Sequence, residues 1–239
     1  MIRFSVCIPM YNESGVIAGT AAELNRYLTE EFGDEYELIF CDDGSSDGSA
    51  DIVRNLGLPR VRVIGYPENR GKGYAVRYAL SESRGEYALF TDADLAYGTK
   101  VIRQFYDEFL NNPDASLVLG SRNLSGEGYK AYPFIRRVAS KTYLKVLSIA
   151  GGLRLSDSQC GCKAFRRDAI EQIMPRCTVD RFAFDFEIIL WAEKLGLKIK
   201  ETPVSVLNFG ESKVHVIRDT FRMLRDLRKM KKRIKKADV

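Results

Sequence analysis

Apolar residues in the first half of the chain come in short runs, and between the runs they recur every three or four positions. The runs predict strands at Phe4 to Pro9, Tyr36 to Cys41, Val61 to Gly65, Tyr87 to Thr91 and Ala115 to Gly120. The recurrent stretches predict helices over Ser14 to Phe32, Ser46 to Leu56, Gly73 to Ser83 and Thr99 to Leu110, each with polar residues near its start. Strand and helix thus alternate, the rhythm of a mostly parallel sheet with crossover helices. After Ser121 the pattern changes to a polar loop (NLSGEGYKAYP), a predicted helix from about Ile135 to Ala150, and the Gly151-Gly152 break. A strand through Gly161 to Arg166 follows, then a helix from Phe184 to Leu195 ended by Gly196, and a strand near Ile199 to Leu207. No linker divides the two halves, so residues 1–213 read as one α/β domain.

Residues 214–239 form a separate pattern. Ile217, Phe221, Leu224, Leu227, Met230 and Ile234 recur every three or four residues, while Arg218, Arg222, Arg225, Arg228, Lys232 and Lys236 fill the other faces. This predicts a basic amphipathic C-terminal helix, suited to an anionic lipid surface, an oligomer or a nucleic acid. The segment holds 10 Lys/Arg against 3 Asp/Glu, so the net charge of +5 belongs to the tail and the rest is slightly acidic.

Composition narrows the class. At 239 residues and 45% apolar the chain can bury a sizeable core, and its 29% charged residues come without low-complexity tracts. No apolar run approaches the roughly 20 residues that cross a bilayer, and no secretory leader opens the sequence, so neither a span nor export is expected. Five cysteines at positions 7, 41, 160, 162 and 177 include no CxxC pair, which fits a reducing cytoplasm. Cys160 and Cys162 are expected to alternate along a strand, to face opposite sides and to serve packing. His215 is the one histidine, so a metal would be held by carboxylates and would be a hard divalent ion.

Candidate chemistry falls at the carboxyl ends of predicted strands, where open α/β sheets bind ligands. PMYNE (Pro9 to Glu13) follows the first strand, DDGSSDG (Asp42 to Gly48) the second and DAD (Asp92 to Asp94) the fourth. Singly these are turn and helix-cap sequences, and Ser45 or Ser46 suits a cap. Together they gather Asp42, Asp43, Asp92 and Asp94 on one edge, where the acids would repel unless a cation or a donor-rich ligand lay between them. Alternation lets Asp92 and Asp94 address one ion while Ala93 keeps the backbone close. A metal-bound diphosphate follows as the expected ligand. Lys72, within NRGKGYAVR at the start of a helix, adds cationic charge for an anion, although the spacing is not that of a Walker loop.

In this order CIPMYNE, CDDGSSDGS, NRGKGYAVR, FTDADLA, LGSR, a helix with Arg137 and Ser140, SDSQCGCKAF, FAFDFEI and GESK resemble the inverting family 2 glycosyltransferases of the GT-A (Rossmann-like) fold. The resemblance is strongest to polyprenyl-phosphate sugar synthases related to dolichyl-phosphate glucosyl- and mannosyltransferases, and it runs from about Ile2 to Lys213. It implies that Pro9, Tyr11 and Glu13 line the nucleotide pocket and that Asp43 bonds the base. It implies that Asp92 and Asp94 hold the ribose, the diphosphate and Mg²⁺ or Mn²⁺, with Asp94 the firmer ligand. Arg122, Arg137 and Ser140 match acceptor-phosphate contacts, and Asp157, Gln159 and Lys163 would border the sugar. Ala96 and Leu207 stand where mannosyl-type relatives tend to carry a polar residue and an arginine, which favours UDP-glucose over GDP-mannose.

A phosphate acceptor is already anionic and needs positive residues rather than a base. Arg122, Arg136, Arg137 and Lys141 offer that charge, although charge clusters are more often solvated faces. A saccharide or protein hydroxyl would instead need Asp185 or Glu187 as base, unless Asp185 caps its helix and Glu187 pairs with a neighbouring cation. The leading expectation is a metal-dependent, inverting hexosyltransferase at the cytosolic membrane face, peripheral through residues 214–239 and independent of nucleic acid. The alternatives are transfer to a hydroxyl and a non-catalytic module that binds nucleotide sugar or nucleic acid.

Overall fold

The computed structural model describes residues 2–127, 155–181, 183–207, 227 and 229–238. Seven strands form one sheet: β1 (Phe4–Met10), β2 (Tyr36–Asp43), β3 (Val61–Tyr66), β4 (Tyr87–Phe90), β5 (Leu117–Ser121), β6 (Lys163–Arg166) and β7 (Ile199–Pro203). Their order is β3-β2-β1-β4-β6-β5-β7. β1 pairs in parallel with β2 and β4, and β5 in parallel with β7, while β6 runs antiparallel between β4 and β5. The mostly parallel α/β expectation therefore holds, with one reversed strand that the apolar pattern does not reveal.

The interior strands are mostly apolar on both faces, as a covered sheet requires, with Ser5, Glu37 and Lys163 as buried exceptions. Phe4, Val6, Ile8 and Met10 of β1 point into one core, beneath α1 (Ile17–Phe32), α2 (Ser49–Asn55) and α4 (Lys100–Asn111). Cys7 points into the other, shared with α3 (Lys72–Glu82), α5 (Arg167–Ile173) and α6 (Phe184–Lys194). α4 buries Val101, Ile102, Phe105, Tyr106 and Phe109, the single stripe that its spacing encodes.

Several boundaries move for physical reasons. α1 begins at Ile17 rather than Ser14, and α2 at Ser49 rather than Ser46, because the residues before them bond to each other across the two loops. β7 stops at Pro203, which has no N–H to extend a ladder. α5 and the 3₁₀ turn Met174–Arg176 were not expected; Ala169, Ile170 and Ile173 are buried along a helix of only seven residues. Cys160 and Cys162 do not face opposite sides. Both are wholly buried in the first core, as residues two apart on an extended chain should be.

Residues 229–236 are helical, and Leu227, Met230 and Ile234 are buried in the second core, so this part of the apolar stripe packs on protein. Ile217, Phe221, Leu224, His215 and the predicted helix with Arg136, Arg137, Ser140 and Lys141 lie outside the described residues.

Candidate active site

The strand order reverses between β1 and β4, and the loops at the carboxyl ends of β1, β2 and β4 meet there. The first two loops are stitched together. The Asn12 N–H donates to Ser45 Oγ at 3.0 Å, and Asn12 Oδ1 accepts from the Ser46 N–H at 2.9 Å. The Glu13 and Ser14 N–H groups donate to Ser49 Oγ and Asp47 Oδ2, both at 2.9 Å. Ser45 and Ser46 are thus cross-loop fasteners and not helix caps; the N-cap of α2 is Gly48. The fastening leaves Tyr11 43% exposed, with Pro9 and Glu13 half-buried beside it.

Asp43 is turned into the loop before α3. It accepts from Tyr66 Oη at 2.8 Å, Asn69 Nδ2 at 2.8 Å, the Arg70 N–H at 2.8 Å and the Gly71 N–H at 2.9 Å. Its charge is met by these donors, so it does not crowd the other acids, and Asp42 likewise accepts from the Ser45 N–H at 3.1 Å. Sequence reasoning missed Tyr66, Asn69 and Arg70 in this clasp; Asn69 and Arg70 stand in the NRGKG stretch whose lysine alone drew attention.

The remaining acids meet cations. Lys72, the first residue of α3, pairs with Asp92, and the wholly buried Lys163 pairs with Asp185 in the first turn of α6. Burial pushes the Lys72 ammonium down, but Asp92, Asp185 and Asp94 outweigh it and hold the amine above its ordinary value. The Asp185 carboxyl is raised by burial, against the pull of Lys163 and Lys72. Two ion pairs, Lys72–Asp92 and Lys163–Asp185, therefore floor the cleft, with Asp92 and Asp185 repelling each other and Lys72 acting on both. Gly161 closes against it: a Cβ there would stand 2.4 Å from Asp92 Oδ2, so only glycine allows this approach.

Asp94 is exposed at the mouth, and Ala93 is buried beneath it with its carbonyl accepting from Thr20 Oγ1 at 2.6 Å. The Asp94 carboxyl is raised by loss of solvent and by Asp92, with Glu13 adding, while the Ala96 N–H and Lys72 oppose the shift. Crowded carboxylate oxygens of this kind suit a hard divalent cation.

The far wall is the stretch before β6. Asp157, 1% exposed, holds Arg122 through Nε at 2.7 Å and Nη2 at 3.0 Å, a bidentate grip that fixes the guanidinium plane. Glu201, also missed in the sequence, accepts from the Ser156 and Asp157 N–H groups at 2.9 and 3.2 Å and shapes this turn. Gln159 Nε2 and Ser158 Oγ are buried and make no hydrogen bond among the described residues.

The two base candidates differ from each other in their surroundings. Asp185 does not cap its helix but is held by Lys163. Glu187 is fully buried, accepts from the Thr178 and Val179 N–H groups at 2.9 and 2.7 Å, and pairs with Arg233. Its oxygens are so occupied, and the pairing with a cation weighed for Glu187 is found with Arg233. Arg137 and Ser140 lie outside the described residues.

Known proteins resemble this chain in sequence and in fold. Dolichyl-phosphate beta-glucosyltransferase of Saccharomyces cerevisiae is 31% identical over 244 residues, spanning 95% of this chain and 73% of that protein. A Dolichyl-phosphate beta-glucosyltransferase of Trichomonas vaginalis is 33% identical over 220 residues, 87% of this chain and 65% of that protein. Among solved structures, glucosyl-3-phosphoglycerate synthase from Mycobacterium tuberculosis, in complex with Mn²⁺, uridine diphosphate and phosphoglyceric acid, superposes with a TM-score of 0.70 at 17% identity. That match covers 100% of this chain and 80% of the other and shows a shared GT-A fold. The model of the family described as Glycosyl transferase family 2 matches residues 5–174, and the chain belongs to that family of glycosyltransferases.

Proposed function

We propose that the chain transfers glucose from UDP-glucose to a polyprenyl phosphate, with inversion, at the cytosolic face of a membrane. The observation that carries the reading is the cleft floor, where Lys72 pairs with Asp92 beside the crowded, exposed Asp94. The names of the curated relatives support glucose and dolichyl phosphate, and the Mn²⁺ and uridine diphosphate bound by the solved neighbour support the donor and the ion.

Asp92 and Asp94 would hold Mg²⁺ or Mn²⁺, which supplies positive charge for a departing diphosphate when bound. Lys72 offers a second cation to the same group. Pro9, Tyr11 and Glu13 border the nucleotide, and Asp43 shapes the wall of its pocket by holding residues 69–71. Gln159 offers its unpartnered amide to a sugar hydroxyl, next to Lys163. Arg122, oriented by Asp157, joins Arg137 and Ser140 in placing the acceptor phosphate. An oxygen of that phosphate attacks the anomeric carbon as the bond to the diphosphate breaks, and no base is required because the nucleophile is already an anion. That Asp185 is tied to Lys163 and Glu187 to Arg233 fits such an acceptor better than a hydroxyl. Asp94 touches the reacting groups in this scheme; Asp157 and Asp185 act through Arg122, Lys163 and Lys72.

No helix among the described residues is long and apolar enough to cross a membrane. With Leu227, Met230 and Ile234 turned inward, the exposed Lys229, Lys231, Lys232, Lys235 and Lys236 present charge to anionic headgroups, so attachment is electrostatic and peripheral. Incubating the protein with Mn²⁺, undecaprenyl phosphate and either UDP-glucose or GDP-mannose tests the proposal. Lipid-linked glucose is expected from the first donor only, and Asp94→Ala should reduce its formation by on the order of a hundredfold or more. No lipid product from either donor would reject the reading.

A further inference from the structure

Residues 178–181 form a strap with the Gly71–Lys72–Gly73 turn on one side and the C-terminal helix on the other. Toward the cleft, the Asp180 carbonyl accepts from the Tyr74 N–H at 3.2 Å, and its carboxylate pairs with Arg77 at 2.7 Å. The packing leaves no room for a side chain. A Cβ on Gly71, whose φ is +103°, would stand 2.5 Å from the Asp180 oxygen, and one on Gly73 would stand 2.6 Å from the Val179 oxygen. The strap therefore sets where α3 begins and hence where Lys72 stands.

On its other side the strap hangs from Glu187. This carboxylate is fully buried and accepts the Thr178 and Val179 N–H groups. Arg233, from the helical residues 229–236, pairs with Glu187 and also donates to Thr178 Oγ1. A buried carboxylate stripped of water keeps its charge only beside a cation and donors, and losing the cation leaves the charge uncompensated. Met230 and Ile234, each 4% exposed in the second core, fix the helix that carries Arg233.

We propose that Arg233 is a positioning residue for the donor-binding turn: through Glu187 and residues 178–181 it holds Gly71, Lys72 and Gly73 in place beside Asp92. The inference rests on the reading that this turn faces the donor diphosphate. It gives the C-terminal segment a part in donor binding that is separate from any contact with a membrane.

The test uses the full chain, wild type, Arg233→Gln and Arg233→Lys. Hydrogen exchange is followed in peptides covering residues 69–76, β1 and β4, and uridine diphosphate binding is measured calorimetrically with Mn²⁺. In Arg233→Gln, exchange over residues 69–76 should quicken while the strands keep their protection. Affinity should fall on the order of tenfold, and donor KM should rise with kcat little changed. Arg233→Lys, which keeps the charge, should recover part of both effects and serves alone if the glutamine variant does not fold. Unchanged exchange at residues 69–76 in Arg233→Gln, or in Arg233→Lys where that is the one variant that folds, would overturn the proposal, as would an increase spread evenly through the sheet, which marks a merely structural role. If the wild type binds no uridine diphosphate, the donor reading fails, and the exchange comparison still decides whether Arg233 holds the turn.

Discussion

Asp47 and Asp94 stand on neighbouring loops, and their surroundings push their carboxyl groups in opposite directions. Loss of solvent would raise Asp47, but the Ser49 hydroxyl and the Ser14 and Ser49 N–H groups win and hold it well below the usual carboxylate range. Asp94 meets acids where Asp47 meets donors, and it is raised. A lone aspartate in a DG-rich loop is therefore read by what donates to it. A depressed folded pKa means that the clamp is complete above the unfolded value of about 3.9 and is lost only as pH falls through the lower folded value. Asp47→Ala should release the Ser14 and Ser49 amides and raise donor KM by roughly 3- to 10-fold, about the effect of one hydrogen bond, with kcat nearly unchanged. Because Asp47 stays ionised throughout, the ratio of variant to wild-type KM should be flat from about pH 5.5 to 8. Steady-state kinetics across that range check this, and a ratio that converges on one toward pH 5.5 would contradict it.

At the scale of elements, β6 joins the two halves of the site. It reverses direction between β4 and β5, places Lys163 opposite Phe90, and so sends the ammonium to Asp185 on α6. The reversal was not legible, because KAFR is four residues long and apolar runs do not encode direction. The DAD, DDGS and NRGKG clusters were legible, since their polar residues interrupt strongly apolar strands at one end. The pairing of Asp43 with residues 69–71 was not, because it depends on how β3 and α3 meet in space. Lys163→Met should leave Asp185 buried without its counter-ion and destabilise the fold by about 3–5 kcal/mol. Pairing Lys163→Met with Asp185→Leu should restore most of that loss, since two apolar groups replace two charges. Urea unfolding of the single and double variants tests this; a double variant as unstable as the single would show that the pair is not the source.

Across the whole molecule the three-layer architecture was legible from period alone, while the place of the C-terminal helix was not. Its stripe of Leu227, Met230 and Ile234 suits lipid and protein equally, and only its burial in the second core decides between them. The same layering explains the cysteines. Cys7 and Cys41 sit on central strands, Cys160 and Cys162 in the first core and Cys177 in the second, all buried with free thiols. Burial pushes Cys41 up to about 12, with Asp43 and Asp42 adding, and Cys160 up to about 11, with Asp157 adding. Cys7, Cys162 and Cys177 are likewise raised by burial first. In the unfolded chain a thiol ionises near 8.5. The thiols therefore cost nothing below that pH, and stability falls as pH climbs from there toward the folded values, by at most about 1.4 kcal/mol per thiol per pH unit. The melting temperature, measured with reductant present, should be level from about pH 7 to 8 and should drop progressively above about 8.5. A disulfide reagent at pH 8 should modify the native chain slowly and the urea-unfolded chain at once, because thiolate forms only when the layers open. Rapid labelling of the native chain, or a melting temperature level to pH 10, would show that burial does not govern these groups.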